Sequence, residues 1–401
     1  MLILLFFSRK LDPVVKLKLK EKDMREIPVI ILLKEPPSAR FKNSISKKRG
    51  KLKYEYKYLK GLSASLSLDE VDRLSELPEV LTISYDRKAT VCMDNVRSCI
   101  GIGFSTPYNL TGKGVNIAVV DTGVYPHADL FRSGRTILSF RDFVKNINEP
   151  YDDNGHGTHI CGVIAGSGVQ SSGKYKGIAS GAKIIMLKAL SGAGTGSFSD
   201  ILAALEYVLE NKDNLKIKIL CLPFGAEPIV ERGKDPLLSA CTKIAESGII
   251  IVAPSGNSGP GQGTILTPGI SPSVITVGCL NCPDSNIRSW SIPDLSGSGS
   301  SKSGETKPDV IAPGVGIMSL SSDTSYIPNT GRMKSLENPY CKMTGSSVSS
   351  AVAAGCIALI LEKMPSITLK DLKGMLKLSC KTLNELKISQ GYGVINIQNL
   401  F

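Results

Sequence analysis

From residue 115 onward, short uninterrupted apolar runs recur between glycine-rich and polar stretches, at residues 115–120, 183–187, 217–222, 249–253 and 274–277. An apolar run without alternation is the pattern of a strand buried on both faces. Between these runs, residues 198–210 and 236–246 have a helix-like pattern. Strands alternating with helices predict an α/β domain with a doubly wound, mostly parallel sheet. In such sheets reactive groups collect at the carboxyl ends of the strands. No internal repeat interrupts the pattern.

The first 90 or so residues have a different rhythm. Residues 29–33 read as a strand closed by Glu35-Pro36-Pro37. Ser67 is placed to cap a helix, with Glu70 at the capping-box position. Leu68, Val71, Leu74 and Leu77 then fall at helical spacing, and Pro78 ends the helix before a strand at 80–85. Strand, basic middle, helix and strand predict a small α+β unit of ferredoxin-like type. A chain of 401 residues exceeds what one core usually organises, so two domains are expected, at 1–95 and 96–401. The apolar start, residues 1–7, has no preceding positive charge and no small-residue cleavage site after it. It is also too short to cross a bilayer, which takes ~20 residues. A helix packed on the body is the expectation there, with no membrane span.

Composition narrows the classes further. A hydrophobic fraction of 42% belongs to a globular chain and excludes a disordered or polytopic membrane protein. Of the +12 net charge, eight units lie before residue 93, where 20 Lys and Arg face 12 Asp and Glu. No recognised RNA- or DNA-binding motif lies in that basic stretch, so no nucleic acid is expected as a partner. Of the ten cysteines, Cys161, Cys221, Cys241 and Cys356 lie in apolar or small-residue runs, where a reduced thiol acts as a small hydrophobe. Cys279 and Cys282 form a single C-x-x-C without the second pair of a metal site. Reduced structural thiols and a cytoplasmic location follow as expectations.

The chemistry-bearing residues are individually ordinary. Asp121 follows the run at 115–120, where an Asp is usually a turn or cap residue. Only three histidines occur: His127, His156 and His159. His156 opens a small-residue run in Asn154-Gly155-His156-Gly157-Thr158-His159, suited to a general base whose tautomer a carboxylate fixes. His156 and His159 also have the i,i+3 spacing of metal ligands, but no zincin-type Glu or third ligand accompanies them. Ser347 precedes another small-residue helix, where a serine is more often a cap than a nucleophile. Asn257, in Ser255-Gly256-Asn257-Ser258, offers a side-chain amide to a developing oxyanion, or merely makes a turn.

Their conjunction is specific. Val119-Val120-Asp121-Thr122-Gly123, Gly155-His156-Gly157-Thr158-His159 with Gly162, Gly256-Asn257, and Thr344-Gly345-Ser346-Ser347 with Gly355 resemble, in that order, the motifs of subtilisin-like serine proteases. The likeness runs from about Gly112 to Gly393. It is nearest to the minor intracellular alkaline proteases of bacilli and clostridia through Asp235-Pro236-Leu237, Thr267-Pro268-Gly269-Ile270 and the stretch from Lys307 to Gly314. The resemblance implies a serine endopeptidase with Asp121, His156 and Ser347 as triad and Asn257 as oxyanion donor. It implies protein or peptide substrates held as an added strand between Gly194-Thr195-Gly196 and Leu222-Pro223-Phe224-Gly225. It also implies that the first domain is a propeptide inhibiting the enzyme in cis, cut between about Tyr85 and Cys99.

Four departures from the family pattern stand out. Ser346 replaces Thr before the nucleophile. Val348, Ser349 and Ala351 stand for Met, Ala and Pro after it. Pro223 takes a Ser position in the S1 wall, and Pro254-Ser255 replaces a small Ala pair. The alternative to an active enzyme is therefore a weak or inactive subtilase serving as regulator or scaffold. Calcium is the family's usual cofactor. Residues 167–176 contain no Asp, Glu or Asn to ligate it, which leaves Asp129 as the one candidate contributor, and no strong calcium requirement is expected.

Overall fold

The computed structural model describes residues 10–11, 15–16, 18–19, 26–47, 50–56, 60–85, 94–101, 109–131, 136–228, 235–300, 306–328 and 336–400. The apolar start at 1–7 and most of the expected cleavage segment, 86–93, lie outside them. The chain divides into two compact units, Met1–Thr90 and Val91–Phe401.

The first unit runs β1 (Glu26–Leu33), α1 (Ala39–Lys47), β2 (Lys51–Tyr56), β3 (Gly61–Ser67), α2 (Leu68–Glu76) and β4 (Val80–Tyr85). Its antiparallel sheet has the order β2-β3-β1-β4, the ferredoxin-like arrangement. In β1 the residues Ile27, Val29, Ile31 and Leu33 are buried and alternate with more exposed ones. They pack with Leu62, Leu66, Val71, Leu74 and Ile83. The strand starts at Glu26, earlier than the apolar run implies, because one face alone is buried and the pattern is alternation. Ser67 Oγ accepts the N–H of Glu70 at 3.3 Å, as its capping position requires. The Glu70 carboxylate accepts from Arg73 Nε at 3.0 Å. The basic middle contains α1 and the edge strand β2, whose lysines discourage pairing with another chain.

The second unit begins with α3 (Asp94–Cys99) and β5 (Asn116–Asp121), followed by α4 (Ala128–Phe131), β6 (Ile137–Asp142), α5 (His156–Ala165) and β7 (Lys183–Lys188). Then come α6 (Phe198–Asn211), β8 (Ile217–Cys221), α7 (Pro236–Glu246), β9 (Ile250–Pro254) and β10 (Val274–Leu280). Short strands β11 (Gly299–Ser300), β12 (Thr306–Lys307), β13 (Val310–Pro313), β14 (Ile317–Leu320) and β15 (Tyr340–Met343) precede α8 (Ser346–Lys363), α9 (Leu369–Ser379) and α10 (Lys387–Gln390).

Seven strands form one sheet in the order β13-β10-β9-β8-β5-β7-β6, and every neighbouring pair is parallel. Both faces are covered, which is why the strands read as continuous apolar runs. Ile117 and Val119 of β5 face the core that holds Val163 of α5 and Val352 of α8. Ala118 and Val120 face the opposite core, with Leu205 of α6 and Ile244 of α7. Truncating such a side chain to Ala costs about 2–5 kcal/mol. After β5 the chain builds β6 and β7 on one side of that strand, then β8 to β10 on the other. The connection reverses at β5, and this opens a crevice beyond its carboxyl end, where Asp121 sits.

The helix α8 has the length and hydropathy of a membrane span, yet it is buried inside the second unit as a core helix. Its small residues permit close approach: a Cβ on Gly355 would lie 2.6 Å from the Ile178 Cβ. Strands β6, β13 and the hairpin β14–β15 have no signal among the sequence runs. β6 is a sheet edge with mixed burial, and the others are four residues long.

Candidate active site

The site starts from two helix N-termini facing the end of β5. Asp121 is fully buried, and its Oδ1 accepts the Thr122 N–H at 2.6 Å. Gly155, at φ 99°, makes the left-handed turn that brings His156 in as the first residue of α5. Both Asp121 oxygens lie 2.9 Å from His156 Nδ1, while His156 Nε2 lies 3.0 Å from Ser347 Oγ in the first turn of α8. A carboxylate on Nδ1 fixes the proton there, so Nε2 is free to accept from the serine hydroxyl. Burial pulls the His156 pKa down; the charge and hydrogen bond of Asp121, with a further contribution from Asp152, override it and raise the value above 6.5. The result is an aligned carboxylate, imidazole and hydroxyl, suited to moving a proton from Ser347.

Asp152 is the residue that sequence reasoning passed over. This fully buried carboxylate accepts from Asn154 N at 3.1 Å, Gly155 N at 2.8 Å, Thr158 N at 2.9 Å, Thr158 Oγ1 at 2.6 Å and Thr122 Oγ1 at 2.9 Å. It thus fixes the turn before His156 and complements the positive end of α5. Its only sequence signal was an acidic pair, Asp152-Asp153, directly ahead of the histidine motif.

The side chain of Asn257 is oriented by the residue before Ser347. Its Oδ1 accepts the Ser346 N–H at 2.9 Å and lies 2.9 Å from Ser346 Oγ, which also accepts the Gly256 N–H at 3.2 Å. An acceptor so fixed leaves Nδ2 as the outward donor. A Cβ on Gly345 would stand 3.2 Å from that Nδ2 and 3.3 Å from Ser347 Oγ, so both groups border the same space. The serine that departs from the family's Thr therefore keeps its hydroxyl in use.

A cavity of about 350 Å³ adjoins His156 and Ser347 and is lined by Gly194, Pro223, Phe224, Gly225, Gly256 and Leu266, among others. Four of the seven expected substrate-binding residues thus meet there. Thr195 and Gly196 are exposed beside it, Thr195 offering its carbonyl to Ser191 N at 2.8 Å. Leu222 belongs to the buried core beneath. Leu266 had no sequence signal: it lies against Gly225 and Gly256 and fills the space between those two segments.

Metal chemistry finds no support in the donors. Both His156 nitrogens face Asp121 and Ser347, and His159 Nε2 donates to the Ile317 carbonyl at 3.0 Å. Asp129, the calcium candidate, accepts from Gln170 N–H at 3.0 Å and from Tyr340 O–H at 2.7 Å. Among the described residues no group of three His, Cys, Asp or Glu side chains gathers around one point.

The subtilase family model, Peptidase_S8, matches residues 112–394. The chain belongs to the subtilase family. It is 37% identical over 364 residues to serine protease AprX of Bacillus subtilis (strain 168), covering 88% of this chain and 81% of that one. Subtilisin E of the same organism is 30% identical over 368 residues, covering 90% and 86%. Among solved structures, this subtilase is similar to a cold-adapted subtilisin-like serine proteinase, with a TM-score of 0.56 and 26% identity, covering 72% of this chain and 90% of the other. As a subtilase it is a subtilisin-like serine endopeptidase, a hydrolase of peptide bonds.

Proposed function

We propose that this subtilase cleaves peptide bonds through an acyl-enzyme on Ser347. His156 takes the Ser347 proton as the hydroxyl attacks the scissile carbonyl, and Asp121 holds the imidazole in the required tautomer. Asn257 Nδ2 and the Ser347 N–H stabilise the tetrahedral oxyanion. His156 then gives its proton to the leaving amine, and later accepts one from the water that releases the acid. The observation carrying this reading is the hydrogen-bonded row from Asp121 through His156 to Ser347. An extended substrate lies as an added strand between Gly194-Thr195-Gly196 and Leu222-Pro223-Phe224-Gly225.

The N-terminal unit acts as a self-inhibiting propeptide in this reading. It is a compact unit with a ferredoxin-like sheet of its own, and the alignments with AprX and subtilisin E are longer than the second unit alone. A cytoplasmic site of action is consistent with nine free cysteines among the described residues, seven of them buried. Fluorophosphonate labelling of the purified full chain, before and after incubation that permits self-cleavage, tests both parts. Labelling at Ser347 that rises with loss of the N-terminal unit is expected. Ser347→Ala is expected to abolish labelling, self-cleavage and peptide hydrolysis, a loss of about six orders of magnitude in kcat. Retained hydrolysis in that variant would overturn the assignment.

A further inference from the structure

Below the site lies a charge that the reaction does not use. Lys188 ends β7 and its side chain is fully buried. Its ammonium donates to the Thr122 carbonyl, to Asp153 Oδ1 at 2.6 Å and to the Leu190 carbonyl at 3.0 Å, and it stands 4.9 Å from the centre of the Tyr151 ring. Three acceptors use all three of its N–H groups.

These acceptors belong to three different parts of the site. Thr122 follows Asp121. Asp153 stands three residues before His156. Leu190 leads into the segment that contains Gly194. Asp153 continues the connection, since its other oxygen accepts from Lys145 at 2.9 Å and a Cβ on Gly192 would touch its Cγ at 3.0 Å. The next residue, Asn154, donates from Nδ2 to the Gly192 carbonyl at 3.1 Å and accepts the His156 N–H on Oδ1 at 3.2 Å. Burial pushes the Asp153 carboxyl up, but its hydrogen bonds to Lys188 and Lys145 hold it below the usual range, so Asp153 is a carboxylate.

Burying an ion pair costs several kcal/mol per ion in desolvation, and apolar residues of similar volume often serve stability as well or better. A pair placed where three site segments meet therefore calls for a geometric role. We infer that Lys188 is a positioning residue: through Asp153 and the Leu190 carbonyl it sets the wall at Gly194–Gly196 relative to His156, and so governs the use of extended substrates. This rests on the reading that the wall receives substrate.

The test compares wild type, Lys188→Met, Asp153→Asn and the double variant, all as the full chain allowed to process itself. Two substrates share one P1 residue: a single-residue ester, which does not reach the wall, and a tetrapeptide amide, which does. Lys188→Met is expected to lower kcat/KM on the tetrapeptide by about 10- to 100-fold, mostly through KM, the scale of an ångström-sized misplacement. The ester should change by less than about threefold, and the double variant should match Lys188→Met within about twofold, because the partners act as one unit. Equal losses on both substrates, or additive losses in the double variant, would overturn the inference and leave a purely structural role. Should Lys188→Met fail to fold, Asp153→Asn decides the matter: a smaller but still tetrapeptide-selective loss supports the inference, and an unselective one defeats it. Absent fluorophosphonate labelling of the wild type would instead sink the protease reading itself.

Discussion

The two helices that deliver His156 and Ser347 both carry them in the first turn, yet those turns are held by different means. The start of α5 is held by charge: Asp152 collects five donors from the turn and from Thr122. The start of α8 is held by neutral groups, Ser346 bonding to Asn257 and, through its hydroxyl, to Gly256. A buried carboxylate with several donors leaves each of them unsatisfied if it is lost, whereas a neutral contact can be lost singly. The α5 side should therefore be brittle, and the α8 side graded.

The largest effect is expected from Asp152→Ala. Removing one partner of a buried charged network costs about 3–5 kcal/mol, so the midpoint of denaturant unfolding should fall sharply, with activity lost. Asp152→Asn is the finer probe. Asp152 helps raise the His156 pKa, so neutralising it should shift the acid limb of the pH–kcat/KM profile to lower pH. An unmoved limb would count against the charge-based account.

Next in size is the acid response of α5 itself. Burial, chiefly, lowers the His159 pKa to about 4. The folded state thus keeps it neutral, while an unfolded histidine titrates near 6.5. The unfolded chain binds more protons between those values, so stability from this group is full above about pH 6.5. It drains as pH falls towards 4, by up to about 3 kcal/mol. Unfolding free energies measured from pH 7 to 4 should show this slope, and His159→Gln should flatten it. Catalysis falls at higher pH and for another reason: in the proposed mechanism His156 must be unprotonated to act as base, and its raised pKa places that loss above pH 6.5.

The smallest effects belong to α8. Ser346→Ala keeps the backbone N–H to Asn257 but removes the hydroxyl, so a fall in kcat of about tenfold is expected. That is less than the 10²–10³ typical of deleting an oxyanion donor outright. KM and the acid limb should stay in place. Ser346→Thr should remain within about threefold of wild type. A shifted acid limb in Ser346→Ala would erase the distinction between the two helix starts.

Much of this arrangement was legible in the sequence, and the limits have physical reasons. The runs at 115–120 and 274–277 announced buried parallel strands because both faces are covered. β6 and β2, at sheet edges, carry mixed polar residues and gave no such signal. Asp121, His156, Ser347 and Asn257 were readable because each sits in a local motif. Asp152, Lys188 and Leu266 were not, since their meaning comes from partners that only the fold brings near. Ser346 was read only as a replacement of Thr, and its contact with Asn257, 89 residues away in sequence, gives it a holding task that no local pattern displays.

The interior position of β5 in the sheet has a kinetic consequence. The contact between His156 and Ser347 spans 191 residues, and a parallel sheet closes its loops before its pairings stabilise them. Helical structure can return on refolding well before this contact forms. Recovery of helical circular dichroism should therefore lead recovery of fluorophosphonate reactivity, making the proposed nucleophile Ser347 a late reporter of the completed chain.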